Sequence, residues 1–342
     1  MSRLPLLLLA CLPSQSVAQL YGLSASVQLN KYATDGTSTP IGPSRPSYLQ
    51  AQNLAALDAA GGVYYFVEYS GGAPALVGLS LSTGAVLSQV ALPFVEVSPR
   101  ARGAPRFRDA ERRTPEVLRL PLRPPQESFV GVGQLLAWAP DLGLAVLTGQ
   151  TADGTHLVGT VNASSGAWTP VANVTRSDDD VLGGAAVYIP ATSDFIFNLG
   201  VANGTQIDNV AVNLVSGAVR FGENTQAGNL ESMSLNSRDG KVYGLSLHIV
   251  GEGFNRSISV MDPATLAISE IGIVPGFGIE SGGIGTVDAS AQTLYWIGMA
   301  APYVPNSPLF LVQVRLADAT VVSAAQLCAS DPECPWSLEY RG

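Results

Sequence analysis

The stretch from Ser234 to Ser269, SLNSRDGKVYGLSLHIVGEGFNRSISVMDPATLAIS, contains a unit whose layout returns along the whole chain. An Asp-Gly turn, Asp239-Gly240, leads into an apolar strand around Val242-Tyr243-Gly244-Leu245, and a polar loop follows from Gly251 to Arg256. A third strand, Ile258 to Met261, then turns through Asp262-Pro263-Ala264-Thr265 into a fourth, Leu266 to Ile268. The turn before the last strand reappears as Thr83-Gly84-Ala85-Val86, Ser165-Gly166-Ala167-Trp168, Ser216-Gly217-Ala218-Val219 and Asp318-Ala319-Thr320-Val321, with a degenerate copy at Asp35-Gly36-Thr37.

Second-strand anchors fall at Tyr21, Tyr64, Ala145, Ile196, Tyr243 and Tyr295, in steps of 43, 81, 51, 47 and 52 residues. Excluding a 29-residue insert, Pro99 to Glu127, brings the 81 to 52 and restores the period. A fixed repeat of this length, made of short strands and Gly/Asp/Ser turns, predicts an all-β, six-bladed β-propeller of four-stranded antiparallel blades. The first unit begins directly at its second strand, Leu20-Tyr21-Gly22-Leu23, while Trp336 to Gly342 resembles the innermost-strand segment Ser234 to Arg238. The C-terminal strand is therefore expected to complete the first blade, a seam that leaves no open sheet edge.

One such ring accounts for residues 19–342 as a single domain, and a monomer is expected. Hydrophobic residues make up 46% of the chain and charged residues 13%, which fits a β-rich core rather than disorder. The net charge is −9, but eight arginines between Arg100 and Arg123 face only Asp109, Glu111 and Glu116, a local +5 that leaves −14 on the remainder. An acidic body argues against nucleic acid as the partner, since phosphate binding needs a basic face. The window 99–127 lacks alternation and carries six prolines. It reads as a disordered loop or translated intron sequence, or else as an arginine-rich arm for an acidic polysaccharide.

Residues 1–18 read as a secretory signal, with Arg3, the apolar run Leu4 to Leu12 and a small-x-small site at Ser16-Val17-Ala18. The alternative is a lipoprotein box at Leu8-Leu9-Ala10-Cys11. No segment has the roughly 20 uninterrupted apolar residues of a spanning helix, so a secreted, extracellular protein is expected. Cleavage after Ala18 leaves Cys328 and Cys334, most simply a disulfide. Sequons stand at Asn162, Asn173, Asn203 and Asn255, each expected in a turn or loop and hence open to glycosylation. The two histidines, His156 and His248, lie in different blades and read as surface or strand-packing residues.

Nucleophile-elbow, zinc-helix, P-loop and Rossmann glycine patterns are all missing from the sequence. One local resemblance exists: Asp288-Ala-Ser-Ala-Gln-Thr-Leu294-Tyr295-Trp296 resembles the start of a YWTD repeat of the low-density-lipoprotein-receptor class. That resemblance implies a six-bladed extracellular propeller that binds protein ligands, although Ile297-Gly298 replaces the Thr-Asp. Connections from each outer strand to the next inner one carry Asp178, Asp179, Asp180, Glu223, Glu231, Glu280 and Glu333. If Asp178, Asp179, Asp180, Glu231 and Glu280 converge on the channel mouth, their oxygens suit a hard cation such as calcium; otherwise they form a solvated rim. Two functions follow as expectations: a scaffold binding a protein or glycan partner, or a calcium-assisted hydrolase or lactonase with its site at that mouth.

Overall fold

The structure, a computed structural model, describes residues 19–24, 26–45, 54–70, 73–94, 129–151, 155–175, 181–201, 206–222, 230–250, 253–278, 285–300, 308–328 and 338–341. Blade 1 holds β1 (Gln19–Leu23), β2 (Leu29–Tyr32) and β3 (Ser38–Ile41); blade 2 holds β4 (Ala55–Asp58), β5 (Val63–Ser70), β6 (Ala73–Ser80) and β7 (Val86–Ala91). Blade 3 comprises β8 (Phe129–Ala139), β9 (Leu144–Thr151), β10 (His156–Val161) and β11 (Trp168–Asn173). Next come β12 (Val181–Ile189), β13 (Asp194–Val201), β14 (Gln206–Asn213) and β15 (Val219–Phe221) in blade 4. Blade 5 follows with β16 (Ser234–Asn236), β17 (Lys241–Val250), β18 (Gly253–Met261) and β19 (Ile268–Val274). In blade 6, β20 (Phe277–Gly278) and β21 (Gly285–Asp288) share one edge of β22 (Thr293–Ala300), which continues to β23 (Leu309–Arg315) and β24 (Val321–Cys328).

The last strand, β25 (Glu339–Arg341), pairs antiparallel with β1 as the innermost strand of blade 1, so the ring closes as the repeat implied. Its register differs by two residues from the sequence match, because Glu339, not Ser337, takes the place of Ser234 opposite the second strand. The third strand of blade 5 is also longer than expected. Every residue from Val242↔Met261 to Val250↔Gly253 is paired, so the polar stretch before Ile258 continues the ladder instead of leaving it. Asn255 therefore lies on β18, and Asn173 ends β11; only Asn162 of the described sequons occupies a turn.

Second strands are buried on both faces, which explains why they read as continuous apolar runs rather than alternating ones. Successive residues go to opposite neighbours, following the pleat. Leu20, Tyr295 and Ile297 pack between blades 6 and 1, Tyr21 and Tyr64 between 1 and 2, and Tyr65 and Ala145 between 2 and 3. Val146 and Phe195 fill the next interface, Ile196 and Val242 the one after, and Tyr243 and Trp296 the last. The core is thus six wedges, each side chain at full burial contributing about 1.5–3 kcal/mol. By this pleat the equivalents of Tyr21 in blades 2 and 3 are Tyr65 and Val146, one residue beyond the sequence anchors Tyr64 and Ala145, and a one-residue slip reverses the face. Outermost strands face solvent on one side, as the alternating exposure of β24 records.

The turn before each outer strand carries a residue in the left-handed region: Gly36, Gly84, Gly166, Gly217, Leu266 and Ala319. Each sits against the outer strand of the preceding blade. A Cβ on Gly84 would fall 2.1 Å from the Ile41 carbonyl oxygen, so glycine is required there for space as well as for φ. Where the turn residue is larger the facing residue has shrunk instead: the Leu266 Cβ lies 2.7 Å and the Ala319 Cβ 3.2 Å from where Gly222 and Gly272 would carry theirs.

Candidate functional site

The two faces of the ring differ. Turns from first to second strand, at 59–62, 140–143, 190–193, 237–240 and 289–292, are four residues each. Those from third to fourth strand occupy only five or six (33–37, 81–85, 162–167, 214–218, 262–267 and 316–320). On the opposite face the connections run from two residues, 71–72 and 251–252, to thirty-seven, 92–128.

Asp178, Asp179, Asp180 and Glu280 lie outside the described residues, as do Glu223 and Glu333. Glu231 is described, and its carboxylate meets Arg256 at 2.6 Å. Burial pushes the Glu231 carboxyl upward while Arg256 pulls it back. Its backbone N–H donates to the Leu245 carbonyl, so the ion pair ties the incoming connector to β17 and β18. Among the described residues no group of three or more His, Cys, Asp and Glu side chains stands together as a metal site. Cys328 ends β24 and is buried, while Cys334 lies outside the described residues. His156 is buried on β10, the strand-packing one of the two placements expected, surface or packing.

A cavity of about 590 Å³ lies on the axis, lined by the inner strands. Strand register arranges its wall in layers. Opposite Tyr21, Tyr65, Val146, Ile196, Tyr243 and Tyr295 stand Glu339, Ala56, Ala137, Val187, Ser234 and Thr286, one from each blade, and all six line the cavity. One step toward the short turns, a second layer is formed by Tyr340, Leu57, Trp138, Tyr188, Leu235 and Val287. The upper layer is small or hydroxylic apart from one carboxyl, and the lower is apolar and aromatic.

Several of these groups are fixed from behind. Trp138 stacks on Tyr65 with ring centroids 4.7 Å apart, and Tyr340 stacks on Tyr295 at 6.4 Å. The Tyr188 hydroxyl donates to Asp141 Oδ2 at 2.9 Å, and burial raises its pKa to about 12. Ser234 Oγ accepts the Val287 N–H at 3.0 Å. Asp288 accepts from the Ser290 N–H and hydroxyl and the Ala291 N–H at 2.7–2.9 Å; burial opposes ionisation, yet these bonds hold its carboxyl below the ordinary range.

Glu339 differs from all of these. Burial alone pushes its carboxyl up to about 8, and among the described residues no cation or donor meets it. What surface it retains opens on the cavity it lines. It is not one of the connector acids, because it belongs to an inner strand. The sequence match sets Ser337 against Ser234 and so gives no signal for Glu339; the strand pairing puts Glu339 in the place of Ser234 and Thr286 of the neighbouring units.

No family model and no curated protein matches the sequence. Solved structures do match in shape. A chain of the nidogen/laminin complex superposes with a TM-score of 0.61 at 8% identity, covering 95% of this chain and 98% of that one. TolB from Acinetobacter baumannii gives 0.56 at 14% identity, over 95% of this chain and 66% of the other. A puromycin-hydrolyzing peptidase from Mycobacterium tuberculosis gives 0.50 at 16%, over 92% of this chain and 43% of that protein. At these identities the similarity establishes the six-bladed propeller fold.

Proposed function

We propose that this propeller is a secreted scaffold that holds a protein partner on the face bearing its long connections. The observation that carries the reading is the asymmetry of the ring: turns of four to six residues on one face against connections of two to thirty-seven on the other. Length variation concentrated on one side of a rigid body is how binding surfaces are commonly built, since loops change without disturbing the packed strands. The similarity to a propeller solved in the nidogen/laminin complex supports the same reading. Export fits removal of residues 1–18, glycans at Asn162, Asn173, Asn203 and Asn255, and a Cys328–Cys334 disulfide, all part of the proposal. A monomer is proposed as well, together with an insert at 99–127 that takes no part in the ring. The calcium-assisted hydrolase is the second reading; it would require Glu231 to leave Arg256, which holds it at 2.6 Å.

The test is comparative affinity capture from extracellular fluid with three proteins: the parent, a variant whose 223–229 segment is replaced by glycine and serine, and a variant with Asp58 and Asp239 changed to Ser on the short-turn face. A protein retained by the parent and the short-turn variant but lost by the connector variant supports the reading. Equal loss from both variants, or a melting temperature raised by calcium and lowered by chelator, would replace it with the second one.

A further inference from the structure

The upper layer of the axial cavity is divided by chemistry. Glu339, Thr286 and Ser234 come from the adjacent blades 1, 6 and 5, whereas Ala56, Ala137 and Val187 come from blades 2, 3 and 4. The alanines leave space on their side, and below them lie Leu57 and the rings of Trp138 and Tyr188. One half of the wall therefore offers a carboxyl and two hydroxyls, and the other offers apolar surface.

We propose that this cavity binds a small organic monocation, a protonated primary amine on an apolar body, with its ammonium at Glu339, Ser234 and Thr286 and its body against Trp138 and Leu57. Three features select this class. A carboxyl with no cation beside it, half-buried in a partly enclosed cavity, favours a positive ligand because Coulomb attraction strengthens as the local dielectric falls. The short turns and the strand ends beside them carry Asp58, Asp141, Asp239 and Asp288 against Arg238, Lys241 and Arg341, a small acidic excess on the approach for a cation. A volume of about 590 Å³ falls in the range of organic-ligand pockets, and a single carboxylate is a poor donor set for a bare divalent ion.

Binding is linked to a proton. Burial holds the Glu339 carboxyl up to about 8, so in the empty cavity at pH 6 to 7 it is mostly protonated. An ammonium requires the carboxylate, so each amine bound releases one proton from Glu339 to solvent while the amine keeps its own, and no covalent bond changes in the ligand. The elements packed against β25 are β1, β4 and β21, whose titratable groups are Tyr21, Asp58 and Asp288; Tyr340 and Arg341 stand beside Glu339 on its own strand. Asp288 is held below the ordinary carboxylate range and Tyr340 above the ordinary phenol range, so neither titrates between pH 6 and 7.

The experiment is isothermal titration of the full chain with phenethylamine and with its neutral counterpart 2-phenylethanol, at pH 6 and pH 7, repeated on Glu339→Gln. Phenethylamine is expected to bind about tenfold more tightly at pH 7 than at pH 6, with close to one proton released, as linkage to a group of this pKa requires. The alcohol is expected to bind at least about tenfold more weakly than the amine at pH 7. Glutamine matches the protonated carboxyl in shape and charge, so the variant folds and loses both the pH dependence and the preference for amine. Equal affinity for alcohol and amine, a pH-independent parent, a preference that survives in Glu339→Gln, absence of amine binding, or displacement of the amine by calcium would each overturn the proposal.

Discussion

At the scale of single residues the chain shows how position decides what a carboxyl does. Asp288, with three hydrogen bonds, stays ionised; Glu231, half-buried but paired with Arg256, is pulled both ways; Glu339, half-buried without a partner among the described residues, is pushed to about 8 from an ordinary 4.5. This last shift has a stability signature. Between those two pH values the folded chain keeps a proton that the unfolded chain has lost, so the contribution of Glu339 is fully present at low pH and disappears as pH rises through about 8. Glu339→Gln is expected to melt with the parent near pH 4.5 and to become progressively more stable than the parent toward pH 8.5, by on the order of a few kcal/mol. Melting curves across that range check the sign. A sequence makes acids visible but not their surroundings, so the connector acids are legible as a cluster while the carboxyl on the axis is not. Only the pairing of Glu339 with Tyr21 shows that it shares a layer with Ser234 and Thr286.

At the scale of the element, the repeating turn is the part of the fold most plainly written in the sequence. Gly84, Gly166 and Gly217 each follow a Ser or Thr and precede an Ala, because the turn needs a left-handed residue and then a strand. What could not be read was the partner of that residue, which lies a whole blade earlier. Gly62 and Gly84 separate the two demands, since both have φ near +69 but a Cβ at Gly62 meets nothing within 4 Å. Gly62→Ala should cost about 1 kcal/mol, the price of the left-handed conformation alone. Gly84→Ala should cost about 3 kcal/mol or more, because the new methyl forces the Ile41 backbone and blade 1 away. Chemical denaturation of the two variants measures the difference. The exchange at Leu266 and Gly222 further means that blades are not interchangeable: blade 5 needs a glycine from its predecessor, whereas the blade 3 turn at Gly166 packs on Val90 and Ala91. Faces of strands were less legible than their existence, as the one-residue displacement of the anchors in blades 2 and 3 illustrates, because a double-sided apolar run such as Val63 to Val67 has no alternation to fix its phase.

At the scale of the whole molecule, closure depends on a very short segment. β25 supplies three paired residues, and with Leu338, 3% exposed, it seals the wedge that Leu20, Tyr295 and Ile297 fill; beyond it Gln313 reaches the Thr34 carbonyl across the same interface at 2.8 Å. Removing residues 338–342 strips Leu338 from that wedge and bares the inner edge of β1, and should cost several kcal/mol of a total near 5–15. A thermal melt unchanged by the truncation would contradict this account of the seam. Limited trypsin treatment bears on the 99–127 insert: cleavage there should leave two fragments associated, because blades 2 and 3 share the wedge of Tyr65, Leu76, Leu136 and Leu147. The same seam sets an order of events during synthesis. Leu20 and Tyr340 are partners 320 positions apart, so blade 1 stands without its innermost strand while the other five are being made, and the longest-range contact of the ring is also the last that can form. A ribosome paused anywhere before Leu338 would therefore hold an open arc whose first strand offers an unpaired edge, and the cell has most reason to shield that edge, through chaperone contact with β1, in the interval before β25 emerges.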